Sequence, residues 1–426
     1  MTKRLAFLFL LLLIPAAARA QNTSKEIFAL ARAAAAGSQQ SIELYERYTR
    51  MEPGDAWGFL ALAESLAAAR RFGEAGAALE RAETLAPGDD DVVTVRARVE
   101  RARRASLPSF KPSALITRDT DANTSITLGA SGDAAVGTAV RAGITGGHTS
   151  TGDGTSTAAI ERGAATLTVR SKSLRWSSEL GAARLAHVTT RTVPVGQTHL
   201  RWSAGTRGFA ADVRVRHSPL TSVYSLVAAE AMLTEARGLV DIPLFAGLKV
   251  RANGQAGSIA TNTLIAVPRG GGPNGGGRGG TTYQRVAFTN ERLGFGGGLV
   301  VPYAPVAEAA ITAYRLQYDQ PGTGHYFAPE YVDALEAGTY AEIYRFDPVT
   351  IALDMGVGLQ RAKAFGQVEG DVEPAYRLWS QVTLPLGRYV DLNGEVDYYK
   401  SQLSTVATSA SWSSFTGGVS LHWLVR

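Results

Sequence analysis

Charged side chains in the C-terminal part of the chain recur at every second position. Gln197, His199, Arg201 and Ser203 alternate with Leu200 and Trp202, and Asp212, Arg214 and Arg216 alternate with Ala211, Val213 and Val215. Arg377, Gln381 and Thr383 stand against Tyr376, Leu378, Val382 and Leu384, while Asp391, Glu395 and Asp397 stand against Leu392, Val396 and Tyr398. Trp379 and Tyr399 alternate onto the same polar side. A period of two is the signature of a strand with one wet and one greasy face. Mixed charge on an enclosed wet face does one of two things: it forms cross-wall ion pairs, or it lines a passage for a hydrophilic solute. Trp379 and Tyr399 would then offer flat surfaces to sugar rings or pack into the wall. A two-residue turn at Thr206-Arg207 would set Arg201 opposite Asp212, and a one-step shift would set it opposite Arg214.

Other chemistries find little support. The six histidines, His148, His187, His199, His217, His325 and His422, show no His-Glu-x-x-His spacing. The absence of cysteine excludes disulfides and thiolate metal sites. Gly270 to Gly280 is not followed by Gly-Lys-Ser/Thr, so it reads as a mobile loop rather than a phosphate cradle. No Gly-x-Ser-x-Gly elbow is visible. No catalytic residue, cofactor or metal is expected. Of the 43 Lys and Arg, Lys3, Arg4 and Arg19 fall in a removable leader, which leaves 40 − 38 = +2 and removes the case for nucleic-acid binding.

The elements that position these residues come in two regimes. Lys3 and Arg4, the apolar run Leu5 to Ala17 and Ala18-Arg19-Ala20 read as a signal peptide over residues 1–20. Residues 21–106 carry helical spacing. Residues 107–120, with Pro108 and Pro112, read as a linker, and 121–426 as alternating segments with turn residues between them. Within the helical part, Pro53 and Pro87 lie 34 positions apart and each precedes Gly-Asp, which is the tetratricopeptide period. Phe59, Leu62, Ala63 and Leu66 would line one face of a first helix; Phe72, Ala75, Leu79 and Ala82 would line a second, closed by Pro87. Asp90 to Arg104 would cap this short α-solenoid.

The alternating region is too long for one ordinary sandwich, and Trp and Tyr recur near segment ends, where interfacial girdles lie. The expected fold is therefore α + β, a repeat domain followed by an antiparallel transmembrane β-barrel of about 16 strands, with 14 or 18 as alternatives. Short connections are expected at Ser171-Lys172, Thr206-Arg207, Arg237-Gly238, Asp347-Pro348 and Gly387-Arg388. Long ones are expected near 149–157, 188–196, 320–330, 362–371 and 402–410. If Asn253-Gly254 is a type I′ turn, Gly270 to Gly280 falls on the periplasmic side; if strands run through, it is an outer loop and the barrel has two strands fewer. Lipids of the outer membrane and the barrel-assembly machinery are the expected partners.

A leader, tetratricopeptide repeats and a barrel together resemble the exopolysaccharide exporters of the Gram-negative outer membrane. Gly324-His325-Tyr326-Phe327-Ala328-Pro329-Glu330-Tyr331 resembles the stretch that begins a strand in the C-terminal domain of the cellulose synthase operon protein C family, with Gly324, Tyr326, Phe327, Pro329 and Tyr331 as its marked positions. Those exporters carry many repeats, against two and a cap here. The resemblance implies a non-enzymatic pore in the outer membrane for a polysaccharide or similar polymer. It also implies that the repeats lie in the periplasm and dock a synthase component there. A barrel that merely anchors a protein-binding scaffold, or a barrel enzyme acting on lipid or glycan, are the rival expectations.

Overall fold

The computed structural model describes residues 23–425 except 138, 172, 205–207, 246, 269–280, 305, 347–348 and 404–411. The expected leader over 1–20 lies outside the described residues, as do the turn residues Lys172, Thr206-Arg207 and Asp347-Pro348. The chain divides into a helical unit that ends at Leu107 and a β unit that begins at Pro108.

The helical unit holds α1 (Ser24–Ala33), α2 (Gln39–Met51), α3 (Ala56–Ala68), α4 (Phe72–Leu85) and α5 (Asp90–Ser106). Helix starts are set by local chemistry. Thr23 and Glu26 form a reciprocal capping box, while Ser38, Asp55 and Asp89 each accept a bond from the first turn that follows. The core gathers Ile27, Ala31, Ile42, Leu62, Ala63, Leu66, Ala75, Leu79, Ala82, Val92 and Val95, with Phe59 and Phe72 half-buried against it. Gly37, in the connection between α1 and α2 with φ +78°, lets that connection lie against the end of α3, where a Cβ would come within 2.9 Å of the backbone of Ala68. Pro87 lies exposed in the turn after α4 and packs against nothing in this core.

Among the described residues of the β unit, sixteen antiparallel strands close into one barrel. They are β1 (Ser109–Asp119), β2 (Thr124–Ala135), β3 (Val140–Gly152), β4 (Thr157–Arg170), β5 (Leu174–Ala186), β6 (Thr190–Ser203), β7 (Ala210–Pro219), β8 (Met232–Pro243), β9 (Lys249–Pro268), β10 (Thr281–Ala304), β11 (Ala307–Tyr318), β12 (Tyr331–Phe346), β13 (Val349–Lys363), β14 (Glu373–Pro385), β15 (Val390–Lys400) and β16 (Ser414–Leu424). Closure pairs β1 with β16, with Ser113 opposite Ser420, so no strand edge is left unpaired. The outward parity is apolar and exposed, as in Ile144 at 71% and Leu180 at 70%. Phe110, Trp202, Phe209, Tyr303 and Trp423 ring the rim where β1 begins and β16 ends. An exposed apolar band with an aromatic girdle is what a hydrocarbon surround requires.

Four expectations need correction. The stretch 107–120 is not a linker: β1 occupies Ser109–Asp119, and Pro112 sits within it opposite Ala130. Arg237-Gly238 is not a turn but the middle of β8, paired with Gln255 and Gly254. Of the two readings left open for Asn253-Gly254, the turn is ruled out, because a type I′ turn needs positive φ at both residues and neither has it, and both lie inside β9. Strands therefore run through, and Gly270 to Gly280 lies outside the described residues. Sixteen strands close the barrel all the same, β1 among them. Finally, 149–157 and 188–196 are no long loops, since β3 runs to Gly152, β4 begins at Thr157 and β6 begins at Thr190. Among the described residues, the long connections 220–231, 319–330 and 364–372 all lie at the far rim.

Candidate functional site

The inward parity of the barrel is its functional surface. Arg201, Asp212, Arg214, Arg216, Arg377, Trp379, Asp391, Glu395, Asp397 and Tyr399 all have it, opposite in phase to exposed Leu200, Val213, Leu378 and Val396. The register sets Arg201 directly opposite Asp212. The ion pair does not follow that register, because Asp212 is taken by His199 at 2.7 Å and by Arg214 at 3.3 Å. Asp391 faces His422 at 3.5 Å. Trp379 donates its Nε1 hydrogen to Glu395 at 2.8 Å, which ties the indole to the wall. Tyr399 borders a cavity of about 1150 Å³, together with Arg201, Asp212, Arg214, Arg237, Arg251, Glu308 and Tyr340. A second cavity of about 470 Å³ is lined by Lys111, Arg162, Glu179 and Glu395.

Two glycines let long side chains cross a strand. Gly257 on β9 lies opposite Glu235 on one side and Arg292 on the other. With no side chain between them, Arg292 reaches over β9 to Glu235, and both residues are buried at 3% exposure. A Cβ on Gly257 would come within 2.9 Å of the Glu235 Cα. Gly356 on β13 does the same for Arg377, which donates to Glu336 on β12 at 2.8 Å and also pairs with Asp354. There a Cβ would sit 2.7 Å from the Glu336 carboxyl carbon. A third crossing carries Arg251 over β10 to Glu308 at 2.9 Å, while Asp241, opposite it on neighbouring β8, holds it at 2.7 Å.

Toward the far rim the interior changes character. The connection 220–231 turns inward and carries α6 (Tyr224–Ala228), whose Leu226 and Val227 are buried with Val223. One side of this segment packs on Leu233, Ile259, Leu316 and Tyr318 of the wall and on Tyr326 and Ala328 of the connection 319–330. The other side packs on Ile160, Leu185, Val193 and Val195. Polar ties hold it. Asn123 accepts from the Tyr224 amide at 3.0 Å, Ser225 donates to the His325 carbonyl at 3.1 Å, and Glu230 receives Arg191 at 3.3 Å and Arg285 at 3.0 Å. The result is an apolar stopper inside a polar tube. Of the marked Gly324 to Tyr331 stretch, Tyr326 is part of the stopper and Gly324 makes a turn with φ +87°. Tyr331 opens β12 and lies 4.4 Å below the Arg315 guanidinium.

Neither a protein-family model nor a curated protein matches the sequence. Solved structures do. A bacterial polysaccharide outer membrane secretin aligns with 75% of this chain and 99% of its own at 10% identity, with a TM-score of 0.50. OccK5 (OpdH) of Pseudomonas aeruginosa aligns with 75% of this chain and 98% of its own at 9% identity and a TM-score of 0.35. OmpT of Vibrio cholerae covers 74% and 97% at 14% identity and 0.33. The fold is that of an outer-membrane β-barrel. In this outer-membrane barrel, sequence reasoning missed Glu235, Arg237 and Arg292, because the false turn at Arg237-Gly238 and the open choice over residues 251–301 hid their strands. It also missed the stopper. The available signal was Leu220 to Met232, an apolar run with no period-two alternation between two clear strands.

Proposed function

We propose that this barrel is a non-enzymatic pore through which a polysaccharide or similar polar polymer leaves the cell. The observation that carries the reading is sidedness. A charged and hydroxyl-rich wall encloses a cavity of about 1150 Å³, while the apolar clusters inside the barrel form where wall residues meet the inward-turned connections 220–231 and 319–330. Moving the stopper leaves the strand pairs of the wall in place and costs the bond from the Asn262 amide to the Ala229 carbonyl at 2.7 Å. The likeness in fold to a polysaccharide secretin supports the same reading. So does the resemblance of Gly324 to Tyr331 to the cellulose synthase operon protein C family. In this scheme the five helices form a tetratricopeptide-type platform in the periplasm that docks a polysaccharide-synthase component, and the leader over 1–20 directs export.

The test is conductance in planar bilayers of the full barrel and of a variant with residues 222–229 replaced by a Gly-Ser linker. Stable steps in the variant, with small or rare openings in the parent, are expected. Silence from both would leave a membrane-anchored protein-binding scaffold instead.

A further inference from the structure

At the rim where β1 begins, the inner wall carries a row of arginines. Arg170 at the end of β4 lies opposite Arg175 on β5, and Arg175 lies opposite Arg201 on β6, so the row crosses three neighbouring strands on one face. That face is the inward one, opposite in phase to exposed Leu200 and Trp202, and Arg201 borders the cavity of about 1150 Å³. Like charges directly opposite one another across strands repel. None of the three guanidinium groups has an ion pair or side-chain hydrogen bond among the described residues, and all three side chains are exposed to the lumen.

The acids at this end of the lumen are engaged elsewhere. On the same side, Asp133 is held by Arg141 at 2.7 Å and Glu179 by Arg162 and Gln197. Asp212 stands opposite Arg201 but is taken by His199 at 2.7 Å and Arg214 at 3.3 Å. Across the lumen, Arg251 holds Asp241 and Glu308, the Tyr340 hydroxyl donates to Glu342 at 2.7 Å, and Asp391 faces His422 at 3.5 Å. An incoming anion therefore relieves the repulsion along the row and breaks no existing ion pair.

We propose that Arg170, Arg175 and Arg201 form a binding row for an acidic saccharide chain, one carrying carboxylates along its length; this rests on the pore reading above and names the class of polymer. A guanidinium offers a carboxylate two parallel N–H donors in a fixed plane. Neighbouring strands stand about 4.8 Å apart, so the row spans roughly 10 Å and meets successive acidic groups of one chain rather than a lone anion. Linked groups bind such a row far more tightly than each would alone. The inward parity keeps the row away from lipid headgroups, and Tyr340 and Tyr399 border the same cavity as Arg201, with flat faces on which sugar rings can lie.

The experiment is calorimetric titration of the full chain in detergent micelles with three probes: hexagalacturonate, uncharged maltohexaose and the acidic peptide hexaglutamate. Hexagalacturonate is expected to bind at least about tenfold more tightly than either of the others, one order of magnitude in dissociation constant. Arg175→Gln, at the centre of the row, is expected to weaken it about tenfold, the scale of one charge-assisted pair. Arg184→Gln removes the same charge from the outward parity of β5 and is expected to leave binding unchanged. Arg175→Glu combined with Arg201→Glu is expected to reverse the preference toward a cationic glucosamine hexamer, a gain that misfolding cannot produce. Equal binding of hexagalacturonate and maltohexaose, or equal losses in Arg175→Gln and Arg184→Gln, overturns this inference and leaves the pore standing. Hexaglutamate binding as tightly as hexagalacturonate reassigns the row to an acidic peptide and overturns it too. The pore reading fails separately, on a linker variant that never conducts.

Discussion

The helical unit and the barrel dispose of their apolar side chains in opposite ways. In the helical unit, Leu62, Leu66 and Leu79 face each other across short residues and are buried by protein alone. In the barrel wall, Leu180, Ile311 and Val357 point away from every other strand and remain exposed. The one place where the barrel resembles the helical unit is its stopper, where Leu226, Leu233, Ile259 and Leu316 are fully buried against one another. Protein-on-protein packing thus marks the two regions that other chain segments cover, and lipid supplies the rest.

That contrast can be broken by truncation. Leu79→Ala in the helical unit and Leu316→Ala in the stopper are each expected to cost about 2–5 kcal/mol locally, since both leave a cavity among protein atoms. Hydrogen exchange on the full chain would show lost protection in α3 and α4 for the first and in the connection 220–231 for the second. Ile311→Ala, on the lipid side of the same strand as Leu316, is expected to cost much less, because acyl chains fill the space. Equal losses for Ile311→Ala and Leu316→Ala would erase the distinction. Leu180→Arg tests the same surface by charge, with about 2–4 kcal/mol expected if the residue lies near the bilayer midplane, read by urea unfolding in liposomes. A soluble, detergent-free monomer would contradict the lipid assignment outright.

Periodicity made the general plan legible. The outward and inward parities of β6, β7, β14 and β15 could be read directly, since each strand alternates cleanly. The helix register around Ala63, Leu66, Ala75 and Leu79 was equally visible. What failed were positions where a local signal competes with tertiary pairing. Asn253-Gly254 carries the dipeptide of a hairpin turn, yet Gly254 is needed flat in β9 opposite Gly238 and Phe295. Pro112 argues against a strand, but β1 accommodates it. The crossings at Gly257 and Gly356 were invisible because they join strands that are not neighbours, and no period within a single strand reports on such contacts.

Those crossings supply a smaller test of the comparison. In the helical unit Gly37 lets a connection lie against a helix end, whereas in the wall a glycine clears a path for a charge. Gly257→Ala is expected to cost about 1–3 kcal/mol by forcing Glu235 aside. It should also raise the conductance noise of the linker variant, because Arg292 loses its counter-ion while remaining buried. Gly73→Ala, on the exposed side of α4 with open space around it, should be neutral or slightly stabilising.

The smallest effect lies in the helical unit and depends on pH. The Tyr48 hydroxyl donates to the Asp55 carboxylate at 2.6 Å, and this bond, with partial burial and the nearby negative charge, pushes its pKa from 10.0 to about 12. The fold therefore favours the neutral phenol. Its contribution is fully present below pH 10, where both folded and unfolded forms are protonated, and it declines as the pH rises through about 12. Asp55 also caps α3 by accepting from the Trp57 amide at 3.0 Å, so an ionised Tyr48 would set two negative charges beside one helix start. Hydrogen exchange in α2 and α3 between pH 9 and 12, corrected for the intrinsic rate, is expected to show protection falling in the parent and staying level in Tyr48→Phe. The same drop in both would assign the alkaline loss to another group and remove Tyr48 as the helical unit's titrating contact.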